Sequence, residues 1–282
     1  MAEKAAKILL ILSGFVLTLF IVSNTFDGDF GWHLRFGKDA FAGIFQYTDS
    51  YTWPIFGQPW VNHEWGGDLL YWLLYSSLGY YSLVLITSAA VWSAFLLVQK
   101  IFFKKLSVLS IITAMFALLS VKFVLAMRLA YLVPLLFVII WLTLEKIPDK
   151  KYYYIWPLIL WLWAALHGSW TLGVIIINIY LLGQFANIIL KKYFPRFSGK
   201  ESSWQTKDFI GVIIAELLSL LLIAINPYGA NIFSEVAAYF SPAYFKQFVN
   251  EWIPSYAYPV YAAPLIAAAV SAFFIIIGYI KK

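Results

Sequence analysis

Two short stretches of this chain gather the side chains that could do acid–base chemistry. Asp27 and Asp29 stand two residues apart, His33 lies four beyond Asp29, and His63 and Glu64 follow as neighbours further along. A carboxylate held beside a hydroxyl can act as general base. Carboxylates and imidazoles together can bind a divalent metal cation that neutralises a leaving phosphate, and Asp29, His33, His63 and Glu64 are the candidate ligands for one. The plainer alternative is that Asp27 caps or ends a helix and that the histidines sit at a membrane interface; Asp-x-Asp spacing alone does not decide between them.

The elements that must position these groups are set by lipid. Of the 282 residues 62% are hydrophobic, 20% aromatic and only 12% charged, too much apolar surface for one soluble core, where about a quarter of residues carry charge. Apolar runs of roughly 18 residues or more recur along the chain, each long enough to cross a hydrocarbon layer of about 30 Å as a helix. Period-2 alternation is absent, which excludes a β-barrel. The expected fold is all-α: a polytopic membrane protein, one module over 1–282, of about eight transmembrane helices at 5–24, 81–103, 106–123, 127–145, 153–167, 170–190, 208–226 and 259–280. The run from Leu106 to Leu144 is too long for one crossing and is divided near Lys122 and Arg128; His167-Gly168-Ser169 divides 153–190 in the same way. No small-x-small cleavage pattern precedes Asp27, so the first helix reads as uncleaved. There are no cysteines, which excludes disulfides and thiolate metal sites.

The formal charge of +6 is a topology signal rather than a mark of nucleic-acid binding. With the N-terminus inside, fifteen Lys and Arg fall in cytoplasmic segments and five, Arg35, Lys38, Lys122, Arg128 and Lys246, fall outside. Both termini are then cytoplasmic, and the basic loop 191–207 lies beside anionic headgroups. All three histidines and the acids Asp27, Asp29, Asp39, Asp49, Glu64, Asp68, Glu235 and Glu251 face outward. A site, if there is one, is extracytoplasmic.

Residues 25–80 make the first extracytoplasmic loop, and loops of that length are uncommon unless functional. Phe30, Leu34, Gly37 and Phe41 follow helical spacing, with Arg35 and Asp39 paired four apart on another face, so 30–41 reads as an interfacial helix. Helical spacing also sets Asp29 and His33 on one side. Gly66 and Gly67 end the following turn-rich stretch, and Asp68–Leu78 is apolar but too short to span, which makes it a second interfacial or re-entrant helix.

Elsewhere, Lys122 and Arg128 could pair with a lipid carrier's phosphate or snorkel as anchors. His167 and Trp65 could line the same cavity. Glu216 sits mid-span, where an ionisable group faces a cavity or a partner helix. Tyr51, Trp53, Trp60 and Trp65 could stack on a sugar or belong to an interfacial belt. Asn226-Pro227-Tyr228-Gly229 is a helix stop and turn. No Walker loop, dinucleotide fingerprint or zinc-protease pattern occurs.

Several pieces in order carry a family resemblance. The run Asp27-Gly28-Asp29-Phe30-Gly31-Trp32-His33-Leu34 with Gly37, then Asp49-Ser50-Tyr51-Thr52-Trp53, Gly57-Gln58-Pro59-Trp60-Val61-Asn62-His63-Glu64-Trp65, Leu166-His167-Gly168, Asn226-Pro227-Tyr228-Gly229 and Glu251-Trp252 together resemble prokaryotic membrane glycosyltransferases of the GT-C type. That resemblance implies transfer of a sugar from a polyprenyl-phosphate-linked donor at the extracytoplasmic face, usually with inversion. It implies a first-loop acid, Asp27 or Asp29, as catalytic base. Arg128 and Lys122 become candidate donor-phosphate ligands, although the group often has proline after the arginine and this chain has Leu129. Many relatives are longer, so a chain ending at Lys282 reads as a minimal module, a fragment or one half of a complex with a partner subunit. The competing readings are a lipid or solute transporter, which Glu216 and the short fifth span would suit, and a non-catalytic lipid-binding subunit.

Overall fold

Proline and glycine set much of the helical framework in the computed structural model, which describes residues 2–25, 27–53, 56–122, 125–147, 151–194, 204–238 and 266. The described residues are helical apart from turns and one isolated bridge between Thr48 and Pro59. In order the helices are α1 (Ala2–Ser23), α2 (Phe30–Phe41), α3 (Trp65–Leu78), α4 (Tyr80–Phe103), α5 (Val108–Ser120), α6 (Val133–Leu144), α7 (Trp156–Leu166), α8 (Trp170–Tyr193), α9 (Thr206–Ile223) and α10 (Asn231–Ala238). Helices α1, α4 and α8 are long and apolar enough to cross a membrane, and shorter apolar helices lie at 108–120, 129–144 and 152–166. These apolar helices point to association with a membrane. Apart from residue 266, the run 259–280 lies outside the described residues, as do Glu251, Trp252 and most of the loop 191–207. The chain divides into two units, 1–233 and 234–282, and the candidate site residues all belong to the first.

Two expected spans are shorter than the apolar runs that suggested them, and proline is the reason. α6 and α7 each carry a proline in the first turn, Pro134 and Pro157, and each is preceded by a 3-10 turn, Leu129–Leu132 and Tyr152–Ile155. A proline in the first helical turn loses no hydrogen bond and fixes where the helix begins. Arg128 therefore does not open a helix. It lies in extended backbone, with φ −136° and ψ 125°, ahead of the 3-10 turn.

Close approaches bring the loop elements together. The Trp92 indole of α4 occupies the place a side chain would take at Gly14 of α1, and its Nε1 donates to the Ile11 carbonyl at 2.9 Å. Gly37 of α2 lies against the Asp68 carbonyl and Trp72 Cβ of α3, where a methyl group would collide. Gly66, in the first turn of α3, meets Ala165 near the end of α7 in the same manner. A buried cluster of Val22, Tyr71, Leu83, Val84, Met127 and Leu129 then joins α1, α3 and α4 to the segment around Arg128, with Phe30 and Leu34 of α2 packed on it.

Candidate active site

The first carboxylate pair forms at the junction of α1 and α2. Asp27 Oδ1 accepts from the backbone N–H of Asp29, and the Phe30 N–H reaches the Asp27 carbonyl, so the chain turns tightly into α2. Both Asp27 oxygens also take Arg128: Nε donates to Oδ2 at 2.9 Å and Nη2 to Oδ1 at 3.1 Å. The same Nη2 donates to Asp29 Oδ2 at 2.5 Å. The two-pronged contact matches the planar fork of the guanidinium. Asp27 is buried, whereas half of the Asp29 side chain is exposed.

The second cluster is built on the face that α2 shows to α3. His33 stands one turn before Gly37, so the close helix contact carries its imidazole onto Asp68. His33 Nδ1 donates to Asp68 Oδ1 at 2.5 Å, and Asn62 Nδ2 donates to Asp68 Oδ2 at 2.6 Å. All three are buried. Asn62 Oδ1 in turn accepts from the Glu64 backbone N–H at 2.9 Å, closing the turn that leads into α3.

Glu64 lies among three imidazoles. His33 Nε2 is 3.3 Å from Oε2; His167 Nε2 and His63 Nε2 are 3.1 and 3.9 Å from Oε1. At His167 the Ser169 backbone N–H points at Nδ1, 3.1 Å away, so Nδ1 is the acceptor and the ring proton sits on Nε2, facing Glu64. The Gly66 contact with Ala165 is what brings α3 close enough to the end of α7 for this pairing.

Burial and charge set the proton positions. Burial pushes the Glu64 carboxyl up to about 7, with Asp68 adding to the shift and the His33 and Arg128 charges opposing it. Burial pulls His33 down, but the Asp68 hydrogen bond and the charges of Asp68, Glu64 and Asp27 outweigh it, so this imidazole keeps its proton above the usual histidine range. Burial lowers His167 to about 3 and His63 to about 4, helped by neighbouring positive charge. The cluster therefore combines an imidazole whose proton Asp68 favours, two imidazoles neutral near pH 7 and a carboxyl poised to titrate.

Tyr71 connects the two clusters. Its ring stacks on His33 with centroids 5.2 Å apart and planes at 8°. Its hydroxyl accepts from the Leu129 N–H at 3.0 Å and donates to the Met127 carbonyl at 3.4 Å, so it grips the backbone on both sides of Arg128. Glu64, Asp68 and Tyr71 are spaced i, i+4, i+7 and share one face of α3.

The remaining sequence candidates fall elsewhere. Asp29 turns to Arg128 and His33 to Asp68, so these two do not share a partner despite their spacing. Among the described residues no three His, Asp or Glu side chains are arranged as metal ligands. Trp65 packs edge-on against Trp161, centroids 6.3 Å apart, rather than against the imidazoles. Glu216 on α9 accepts from Asn178 Nδ2 of α8. Lys122 lies just past α5. Asn62, Asp68 and Tyr71 also belong to the site, though no pairing of acids and histidines along the sequence marks them. The Asn226-Pro227-Tyr228-Gly229 turn is held by Asn226, whose Oδ1 accepts from the Tyr228 N–H, and Tyr228 donates to the Gln46 carbonyl of the first loop at 3.0 Å. Compared with protein-family models, with curated proteins and with solved structures, the chain has no match.

Proposed function

We propose that this chain is an integral-membrane glycosyltransferase of the GT-C type, moving a sugar from a polyprenyl-phosphate-linked donor to an acceptor at the extracytoplasmic face. The observation that carries it is the convergence of Asp27, Asp29 and Arg128 with His33, Glu64, Asp68 and His167, drawn from three separate loops, at the ends of apolar helices. A lipid-linked substrate needs that combination: a polar reacting centre set beside a surface that accepts a long apolar tail. The topology in this reading has eight spans, cytoplasmic termini and α2 and α3 at the outer leaflet.

Between the two acids Asp29 is the better base. Both Asp27 oxygens are taken by the Arg128 fork, while Asp29 uses only Oδ2 there and is half exposed. Asp29 Oδ1 takes the proton of the acceptor hydroxyl as its oxygen attacks the anomeric carbon. The bond from that carbon to the phosphate oxygen breaks, and the polyprenyl phosphate leaves with the electron pair. Attack opposite the leaving group inverts the anomeric centre. Arg128, already aimed at two anions, pairs with the phosphate as charge builds on it, and Lys122 is the second candidate cation. Asp27 holds Arg128 in place.

The test is a panel of polyprenyl-phosphate sugars offered to the purified protein in proteoliposomes. Consumption of at least one donor, with release of polyprenyl phosphate, is expected. Protein that binds lipid yet consumes none of the panel, with or without added divalent cation, would remove the enzymatic reading and leave the lipid-binding one.

A further inference from the structure

A cavity of about 210 Å³ lies beside the charged clusters, and the proton transfer assigned to Asp29 makes no use of it. Its walls are aromatic. Trp32 comes from α2, and Tyr51 and Trp60 come from the turn-rich stretch between α2 and α3. Trp60 meets Trp32 at 75° and Tyr51 at 74°, each with centroids 5.8 Å apart, so the rings stand as walls at steep angles instead of stacking flat. Buried Phe36 backs the box, 5.7 Å from Trp60 at 85°. Thr52, buried Asn62 and His63 complete the lining with polar groups.

Two of its surroundings are fixed in advance. Asp49 also lines the cavity, but its Oδ1 accepts from the Tyr51 and Thr52 backbone N–H groups and its Oδ2 from the Thr52 hydroxyl. It braces the wall through these three hydrogen bonds. Tyr51 is held from behind, its hydroxyl donating to Asp39 Oδ2 at 3.1 Å. The box is thus preorganised, which favours binding of a small rigid molecule.

The space is partly open and accommodates about one ring. At about 30 Å³ for each water the space equals roughly seven waters, below the range of sites for larger ligands. A nucleobase would require a flat slot between parallel faces. A quaternary ammonium would also suit the aromatic walls beside the Asp49 carboxylate, so choline is the rival guest. A pyranose presents apolar C–H faces and a rim of hydroxyls, and this box offers apolar walls with an amide, an imidazole and a hydroxyl in its lining. Three lining residues are fastened to the charged clusters: Trp32 lies against His33 with ring centroids 3.8 Å apart, Asn62 donates to Asp68, and His63 faces Glu64.

We infer that this cavity is a saccharide subsite taking a single pyranose ring between Trp32, Tyr51 and Trp60. The inference rests on the glycosyltransferase reading for its place in the reaction and on the cavity alone for binding. The ring is either the sugar carried by the polyprenyl phosphate or the terminal sugar of an acceptor.

The experiment is saturation-transfer NMR on the protein in nanodiscs, with the methyl glycosides of glucose, mannose, galactose and N-acetylglucosamine as probes. At least one pyranoside should receive saturation on its C–H face, and Trp60→Ala and Trp32→Ala should each weaken binding at least tenfold. Trp60→Phe, which keeps a flat wall, should retain most of it and shows that the pocket still folds. Added polyprenyl-phosphate sugar abolishes the signal if the subsite serves the donor and leaves it if the subsite serves an acceptor. Equal binding by wild type, Trp60→Ala and Trp32→Ala, or displacement of the glycoside by choline at equal concentration, overturns the inference. Asp29→Asn should bind the glycoside normally while failing to transfer. Binding lost in Trp60→Ala together with no transfer from any donor by the wild type would sink the enzymatic reading and keep the subsite; transfer by the wild type with unaltered binding in the tryptophan variants would do the reverse.

Discussion

Replacing Arg128 separates burial from distance as the source of the site's ionic strength. Among its contacts with these two acids the shortest is with Asp29, 2.5 Å, against 2.9 and 3.1 Å to Asp27. Ranked by distance, Asp29 would be the stronger partner. Ranked by burial the order reverses, because the Asp27 side chain is 5% exposed and the Asp29 side chain 49%, with Arg128 at 18%. Two unit charges about 4 Å apart attract by about 4 kcal/mol at an effective dielectric of about 20, and stranding one partner of a buried pair costs about 3–5 kcal/mol. An exposed pair is worth about 1 kcal/mol or less. Double-mutant cycles of Arg128→Ala with Asp27→Asn and with Asp29→Asn, read by reversible unfolding in mixed micelles, should therefore give a coupling of about 3 kcal/mol or more for Asp27 and under about 1 kcal/mol for Asp29. Equal couplings, or a larger one for Asp29, would refute the reasoning and with it the division of labour between a structural Asp27 and a reactive Asp29.

Three further outcomes are expected from the same geometry. Gly37→Ala should destabilise by about 1–3 kcal/mol, since the added methyl meets the Asp68 carbonyl, whereas Gly31→Ala on the same helix meets nothing and should be neutral or mildly stabilising in the same unfolding assay. His63 and His167 have pKa values lowered to about 4 and about 3, so the unfolded chain binds more protons below about 6.5; the stability they contribute is complete above that pH and is lost as pH falls through it, and a His63→Asn, His167→Asn double variant should flatten unfolding midpoints between pH 6.5 and 4.5. Glu64 titrates at about 7, so the kcat/KM profile for sugar transfer should bend there; in Glu64→Gln that bend should vanish, and a bend that persists would assign it to another group.

Much of the scaffold was legible because it rests on local periodicity. Helical spacing over Phe30–Phe41 marked the same twelve residues that form α2, and the apolar runs at 5–24, 81–103 and 170–190 match α1, α4 and α8 to within a few residues. The second loop helix, expected from Asp68, begins three residues earlier, because Gly66-Gly67 reads as a break in the sequence. These glycines lie inside the first turn, where Gly66 meets Ala165 of α7 at a distance no Cβ tolerates. Starting the helix at Trp65 puts Glu64, Asp68 and Tyr71 on one face, and that register was the signal for the Asp68 and Tyr71 contacts. The pairing of His33 with Asp68 instead of Asp29 was not legible, since it depends on the α2–α3 approach at Gly37 and not on spacing along either helix. Nor was Trp32 as a wall of the aromatic box. Trp53, a stacking candidate by type, is 93% exposed, and Trp65 faces Trp161.

The central claim is that Asp29 takes the acceptor's proton while Asp27 holds Arg128. The most direct measurement is sugar transfer from the polyprenyl-phosphate donor in proteoliposomes, at saturating donor, by wild type, Asp29→Asn and Asp27→Asn, each first shown to fold by its unfolding midpoint. Asp29→Asn should lose about 10²–10⁴-fold in kcat, the range general-base catalysis supplies, with donor KM little changed, whereas Asp27→Asn should chiefly raise donor KM through a displaced Arg128. Near-normal kcat in a folded Asp29→Asn protein would contradict the account.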